Sequence, residues 1–486
     1  MIKEDYIPKD QRKKILLLCD DIRMHSGIST MARELVLGTA HVFNWVNIGG
    51  AIQHPEAGKR LDLSGDSGKE AGIDDASVFL YPTNGYGDQT LVTQIMNIEK
   101  PDILMIFTDP RYWVWLFQME HEIRVKTPIV YLNIWDDLPY PMYNKSFYES
   151  CDTLLAISKQ TENINRVVLG ELGKDKTIKY VPHGINEKYF FPITTDKPEY
   201  LTLQEFKKQL YNNKQYDFTL LYNARNIRRK SVPDLMLAWK MFIDELPEEK
   251  AKKTAFVLHT QPIDENGTDL LAVKDMLFGN DEKYNIIFSN QKLDAKGMNL
   301  LFNSSDAVAL ISSNEGWGLS LTEAMMCGKP IIATVTGGMQ DQMRFEDENG
   351  EWIKFTEEFG SNHKGKFRKH GKWAFPVFPS NISLIGSVPT PYIYDDRAQP
   401  EDVAAEIQKV YAIKTDSPAI YNEISQEARK WATSDESMMS ARLMCKNFVD
   451  GIDETFKKWT PREPFSFTKV EQLAQPKHYV KHSIAK

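Results

Sequence analysis

Short apolar runs recur along the chain, and polar stretches with helical spacing separate most of them. Residues 15–19 open the series, followed by 103–107, 129–132, 153–157 and 178–181. A second cycle starts at 218–222 and continues through 255–259 and 285–288 to 308–311. Runs this short and this uniformly apolar fit strands buried on both faces, and their alternation with helices predicts an α/β fold of parallel sheets covered on both sides. The first unit reads as a Rossmann-type opening: a strand, a loop through Gly27, and a helix capped by Ser29. It lacks G-x-G-x-x-G, which disfavours a dinucleotide dehydrogenase. Residues 54–75 are polar and glycine-bearing and read as a surface excursion, whereas 431–459 read as one helix.

The most informative segment lies where the second cycle ends. Residues 315–332 read EGWGLSLTEAMMCGKPII, with Glu315 just after an apolar run and Glu323 inside the helix that follows. A strand, a glycine-bearing loop and a helix start present free backbone amides and a positive dipole, so a diphosphate fits beside Leu319 and Ser320. The two carboxylates would flank it and accept hydrogen bonds from hydroxyls. Sugar hydroxyls on one side and ribose hydroxyls on the other describe a nucleotide-sugar.

With Gly316, Gly318, Leu319, Ala324, Gly328 and Pro330 in phase with both glutamates, the segment resembles the retaining GT-B glycosyltransferases of the "glycosyl transferases group 1" type. The resemblance implies two Rossmann-like domains facing a central cleft. Residues 1–195 would form the acceptor-side domain, 196–430 the donor-binding domain with a basic insertion near 359–394, and 431–486 a helix and tail returning to the first domain. It implies that Glu323 binds the donor's ribose, that Glu315 faces the donor sugar, and that Gly27 lets the backbone approach the diphosphate. The family places an Arg and a Lys in a G-R…K-G pattern after a strand, and Arg225 and Lys230 match it. Ser231 stands where a glycine is usual, and Arg229 competes for the lysine's role. Residues 182–186 resemble the family's P-N-G-V-D turn, and 336–341 its next glycine loop. One departure concerns the histidine expected after the strand at 129–132, where this chain has Trp135. Asp136 or Asp137 is then left to make the polar contact, with the leaving phosphate able to take the acceptor's proton.

The whole chain sets bounds on this picture. Its 486 residues suit two domains, and 42% apolar with 26% charged residues is ordinary for a globular protein. No apolar stretch reaches the ~20 residues of a membrane span, and the opening is polar throughout, so a cytoplasmic protein is expected, in the host cell if the chain is viral. The four cysteines lack metal or disulfide spacing. No D-x-D triplet occurs, so fixed cations and a helix dipole are expected to neutralise the diphosphate without a metal. No cofactor is expected, only a nucleoside-diphosphate sugar, a UDP-sugar by preference, as donor.

The acceptor is less legible. Between Phe359 and Tyr394 no acidic residue occurs, while Lys364, Lys366, Arg368, Lys369 and Lys372 crowd beside Trp373, Phe375 and Phe378. Against a net charge of −8, such a stretch is the footprint of a nucleic-acid groove, or else a solvated loop. The combination resembles bacteriophage enzymes that glycosylate hydroxymethylated cytosine in DNA, including the arabinosyl-transferring type. A cell-surface glycan or lipid-linked acceptor is the alternative, and a nucleotide-sugar epimerase of the same fold a further one. The donor's sugar and base and the oligomeric state stay open.

Overall fold

The computed structural model describes residues 5–466. Eight strands form the first sheet: β1 Lys13–Asp20, β2 Phe43–Gly50, β3 Leu61–Asp62, β4 Val78–Pro82, β5 Ile103–Phe107, β6 Ile129–Asn133, β7 Thr153–Ala156 and β8 Thr177–Tyr180. Their order is β3-β4-β2-β1-β5-β6-β7-β8, all parallel except the β3 and β4 pair. Six form the second: β9 Phe218–Asn223, β10 Thr254–His259, β11 Ile286–Ser289, β12 Ala307–Leu310, β13 Ile331–Thr334 and β14 Ala374–Val377. Their order is β11-β10-β9-β12-β13-β14, parallel throughout. The inner strands β1, β5, β6, β9 and β12 are buried almost end to end, as their uninterrupted apolar runs require. Each sheet reverses its strand order once, between β1 and β5 and between β9 and β12, and crevices at such points are where open α/β sheets bind ligands.

A two-stranded antiparallel hairpin, β15 Asn381–Ser387 with β16 Thr390–Arg397, leaves the second sheet and leans on the first domain. The Tyr394 amide donates to the Leu138 carbonyl at 2.5 Å, and the Tyr143 hydroxyl to the Tyr392 carbonyl at 2.9 Å. Elsewhere the sheets are joined through Asp341, which accepts from the Lys159 amide at 2.8 Å and the Tyr180 hydroxyl at 3.0 Å. The cleft is therefore bridged on the hairpin side and along this seam.

Several expectations need correction. Ser26, not Ser29, caps the first helix, Gly27–Thr39: its backbone is extended and its hydroxyl accepts from the Ser29 amide. Ser29 instead sits inside the helix and turns its own hydroxyl to the Asp21 carbonyl. Residues 54–75 are not only a surface excursion, since they contain β3 and the helix Ser64–Ala71. The single helix expected at 431–459 is two: Pro418–Ala432 ends, the chain turns through Met438 at φ 59°, and Ala441–Lys458 begins on a Ser440 cap. Residues 467–486, the expected tail, lie outside the described residues.

Helix Ala441–Lys458 packs on the first domain because its apolar positions fall on one stripe. Met444, Phe448 and Ile452 recur every fourth residue and are buried, each contributing roughly 1.5–3 kcal/mol. Phe448 stacks on Trp45 at 5.9 Å, and the Thr455 and Thr153 hydroxyls meet at 2.7 Å. Gly38 makes the close approach possible, for a Cβ there would lie 2.3 Å from Cys445 Sγ. All four cysteines are buried. Among the described residues no helix is long and apolar enough to cross a membrane.

Candidate active site

The C-terminal ends of the two sheets face one another across a cleft of about 1470 Å³. That exceeds an ordinary small-molecule pocket and leaves room for two substrates. On the first domain's wall, the β1 loop brings Gly27 to the start of its helix, where Ser26 is fixed by a 2.7 Å hydrogen bond to Asp20. A Cβ at Gly27 would already touch Leu319 Cδ1 at 3.4 Å, so the walls nearly meet there. A larger side chain would fill the gap.

Glu315 and the helix Leu319–Met326 form the opposite wall. Gly318 enters that helix at φ 85°, a left-handed conformation that glycine adopts without strain, and no side chain caps it. The Leu319 and Ser320 amides therefore lack acceptors among the described residues and face the cleft, which suits an anion. Two further glycines clamp the loop. The Gly338 amide donates to the Glu315 carbonyl at 3.0 Å, and a Cβ at Gly337 would fall 2.1 Å from that carbonyl oxygen.

Glu315 is the most strongly held charge of the site. Its side chain is 10% exposed and forms ion pairs with Lys230 and, at 3.0 Å, with Arg229, while Ser312 donates at 3.2 Å. Burial alone would raise its carboxyl, but the two cations win and bring it down to about 2. Lys230 is shifted downward by burial, an effect that Glu315 opposes. Both cations come from the loop after β9, where Ser231, at the family's usual glycine position, is itself left-handed at φ 50°. That conformation explains why glycine is the common choice there. Arg225 is placed differently: it sits at the rim, 62% exposed, and pairs with Asp264 at 2.7 Å. The structure thus brings Lys230 and the competing Arg229 onto Glu315, but not Arg225.

Across from this triad stands Asp136. Burial raises its carboxyl, Arg229 counteracts, nearby Glu315 raises it further, and it lies at about 6. Asp137 is raised as well, by burial and then by Asp136. Trp135 is 6% exposed: its indole donates to the Asp137 carbonyl at 3.2 Å, and Arg111 lies over the ring.

Glu323 lines the cleft without a hydrogen-bond or ion-pair partner among the described residues, and burial pushes it up to about 7. An unpaired carboxylate facing a cleft invites hydroxyl donors. It also predicts a pH effect in the ligand-free protein. Between its ordinary value of 4.5 and about 7 the native state binds the extra proton, so stability falls as pH rises through that window. Glu323→Gln should remove this slope and gain on the parent at pH 8 by on the order of 1–3 kcal/mol, with little difference at pH 5. Urea titrations at the two pH values check it; an equal offset at both would show that Glu323 does not titrate in that window.

The basic stretch departs from expectation. Trp373 and Phe375 are 6% and 8% exposed, because Phe375 lies in β14, the edge strand of the second sheet, and Trp373 just before it stacks on Trp431 at 5.7 Å. Neither ring is open to a base. Lys369 pairs with Glu346, and Lys372 with Glu423 at 2.7 Å and Glu427 at 3.2 Å. Arg368 lies over Phe378, and Lys366 over Phe359 and Phe367. Lys364, Lys366 and Arg368 are exposed and have no carboxylate partner among the described residues. Sequence reasoning also missed two features that line the cleft: the hairpin residues Ile385, Ser387, Thr390 and Ile393, and His183. The hairpin's sequence has no distinctive signal, but His183 stands in a turn where the resembled family has asparagine.

Comparison with known proteins agrees with this layout. Residues 279–360 match the family model described as Glycosyl transferases group 1. No curated protein sequence matches the chain. Among solved structures, Anabaena HepE in complex with UDP and glucose superposes with a TM-score of 0.61 at 13% identity, covering 91% of this chain and 100% of that one. Sucrose-phosphate synthase from Thermosynechococcus elongatus gives 0.64 at 14%, covering 92% and 100%. A trehalose-6-phosphate protein from E. coli, bound with UDP-2-fluoro glucose, gives 0.60 at 12%, covering 91% and 99%. The chain thus has the two-sheet GT-B fold of these structures, and its residues 279–360 match Glycosyl transferases group 1.

Proposed function

We propose that the protein transfers a glycosyl group from a nucleoside-diphosphate sugar to a hydroxyl acceptor. The observation that carries this is Glu315, held ionised by Lys230 and Arg229 beside the open amides of Leu319 and Ser320. The amides and the two cations take the diphosphate, Glu323 accepts from the ribose hydroxyls, and Glu315 faces the sugar as positive charge develops at its anomeric carbon. Gly27 allows the diphosphate to pass between the walls. Arg225 reaches the diphosphate by leaving Asp264. The donor is a UDP-sugar, a choice supported by the UDP and UDP-sugar bound to the structural neighbours HepE and the E. coli protein.

The transfer proceeds with retention, the acceptor hydroxyl entering on the side of the leaving phosphate and giving its proton to it. Asp136 orients that hydroxyl, a role its position on the cleft supports. An epimerase would need no room for an acceptor, and the size of the cleft speaks for transfer. Two acceptor classes are distinguished by assay. A neutral glycan is favoured by the cleft mouth, where Arg111 is neutralised by Asp109 and Tyr112 is 52% exposed. Hydroxymethylated cytosine in DNA is favoured by the exposed Lys364, Lys366 and Arg368, since Ser361 and His363, just before them in the chain, line a small pocket together with Asp136. Incubation with UDP-sugars and either hydroxymethylated DNA or oligosaccharides, read by mass spectrometry, tests the whole reading. Sugar mass on neither acceptor, with no donor hydrolysis, would overturn it.

Because cations and amides are built into the site, transfer should persist in excess chelator. Loss of activity in EDTA, restored by magnesium or manganese, would show that a metal carries the diphosphate instead.

A further inference from the structure

The histidine of the resembled family is missing after β6, and Trp135 is packed into the first domain instead. An imidazole nevertheless reaches the cleft from another segment. His183 lies just beyond β8, is 5% exposed, and lines the cleft. Its ring stands edge-on to Phe107, at the end of β5, and to Trp317, inside the glutamate loop, with centroids 5.9 and 6.3 Å away. The backbone beneath is pinned: the Gly184 amide donates to Met444 Sδ at 3.1 Å, and a Cβ at Gly184 would fall 2.4 Å from the Ser440 carbonyl oxygen. The Ile185 amide continues the clamp onto the Met439 carbonyl at 2.9 Å.

His183 Nδ1 is fully buried and has no hydrogen-bond partner among the described residues. Burial also pushes the imidazole down to about 3, so it is uncharged at neutral pH. A neutral imidazole offers one N–H and one lone pair. A phosphate oxygen only accepts, and cations serve it better. A hydroxyl can donate to a ring nitrogen or accept from it, and so suits the neutral ring in either tautomer. Trp317, which His183 touches, is two residues from Glu315, the carboxylate placed at the donor's sugar.

We propose that His183 binds a hydroxyl of the donor's sugar, supplying from the turn after β8 the imidazole that is absent after β6. The assignment rests on the nucleotide-sugar reading above. Calorimetry on the full chain would compare UDP with UDP-glucose, UDP-galactose, UDP-N-acetylglucosamine, UDP-xylose and UDP-arabinose. His183→Phe keeps the aromatic contacts and removes both ring nitrogens. It should leave UDP affinity within about twofold and weaken the best-bound UDP-sugar by at least about tenfold, and His183→Gln should recover part of that loss. A purely packing role would move UDP and UDP-sugar together. As a measurement that needs no variant to fold, nitrogen-15 imidazole spectra of the parent protein should shift with a UDP-sugar and not with UDP. A His183→Phe variant with the parent's ratio of UDP-sugar to UDP affinity, or imidazole signals unmoved by every UDP-sugar, would overturn the assignment while leaving the nucleotide-sugar reading intact. Failure of the parent to bind UDP and all five sugars would instead remove that reading, and this one with it.

Discussion

Lys230→Ala is expected to lower the free energy of unfolding by about 3–5 kcal/mol and to weaken donor binding in the same variant. Lys230 and Glu315 have side chains only 9% and 10% exposed, so deleting the ammonium leaves a carboxylate in a dry site with Arg229 as its one remaining cation. Breaking such a pair costs far more than the pair contributes, because the desolvation of the surviving charge goes uncompensated. Arg229→Ala should cost less, since that side chain is 39% exposed and its own pairing is screened by water, while Lys230 still neutralises Glu315. Arg225→Ala supplies the contrast. Its ion pair with Asp264 lies at the surface, where such pairs are worth about 0–1 kcal/mol, so stability should barely change. If Arg225 turns to the diphosphate when donor binds, its loss should still weaken donor affinity by about 1.5–3 kcal/mol. Urea unfolding and calorimetry with UDP separate the two quantities. A Lys230→Ala protein as stable as the parent would mean that Glu315 is not the buried partner described.

Replacing the two glutamates by glutamine should give opposite kinetic signatures. Glu315→Gln should lower kcat by on the order of a hundredfold or more with little change in nucleotide affinity, because in the proposed reading its charge faces the sugar, where positive charge grows only in the transition state. The same change strands Lys230 and Arg229 without their anion, so a stability loss should accompany it. Glu323→Gln should mainly raise KM for the donor, since a ribose hydroxyl is held alike in the ground and transition states. It should not destabilise the fold at neutral pH, because Glu323 has no partner to lose among the described residues. Steady-state kinetics on both variants check this. The reverse pattern, with kcat falling for Glu323→Gln and KM rising for Glu315→Gln, would mean that the sugar and ribose ends of the cleft are exchanged.

Continuous apolar runs made the parallel sheets legible from sequence, because a strand covered on both faces cannot afford polar positions. β2 was missed for the converse reason. Asn44 and Asn47 interrupt its pattern, yet Asn47 is buried, donating to the Leu17 carbonyl at 3.1 Å and to Cys19 Sγ. A polar side chain satisfied by a neighbouring strand looks like a surface residue until that neighbour is known. Helix ends were misplaced for a similar reason. Ser26 and Ser29 are both plausible caps, and only the backbone angles at Ser26 decide between them.

At the site, spacing along the chain was enough to single out Glu315, Glu323, Leu319 and Ser320, because one strand, loop and helix carry all four. The partners of Glu315 were not settled by spacing. Arg225, Arg229 and Lys230 lie within six residues, and which of them turns inward depends on the left-handed turn at Ser231 and on Asp264, which holds Arg225 at the rim. Part of the basic and aromatic look of 359–394 came from Lys369 and Lys372, whose counter-charges Glu346, Glu423 and Glu427 lie outside the stretch, and from Phe375, which is buried in an edge strand. The sequence by itself determined the repeated strand and helix units and the glutamate motif, since both are local in the chain. Only the tertiary structure decided which charges are neutralised and that His183, in a turn distant from the motif, meets Trp317, since burial and pairing depend on segments far apart in the chain.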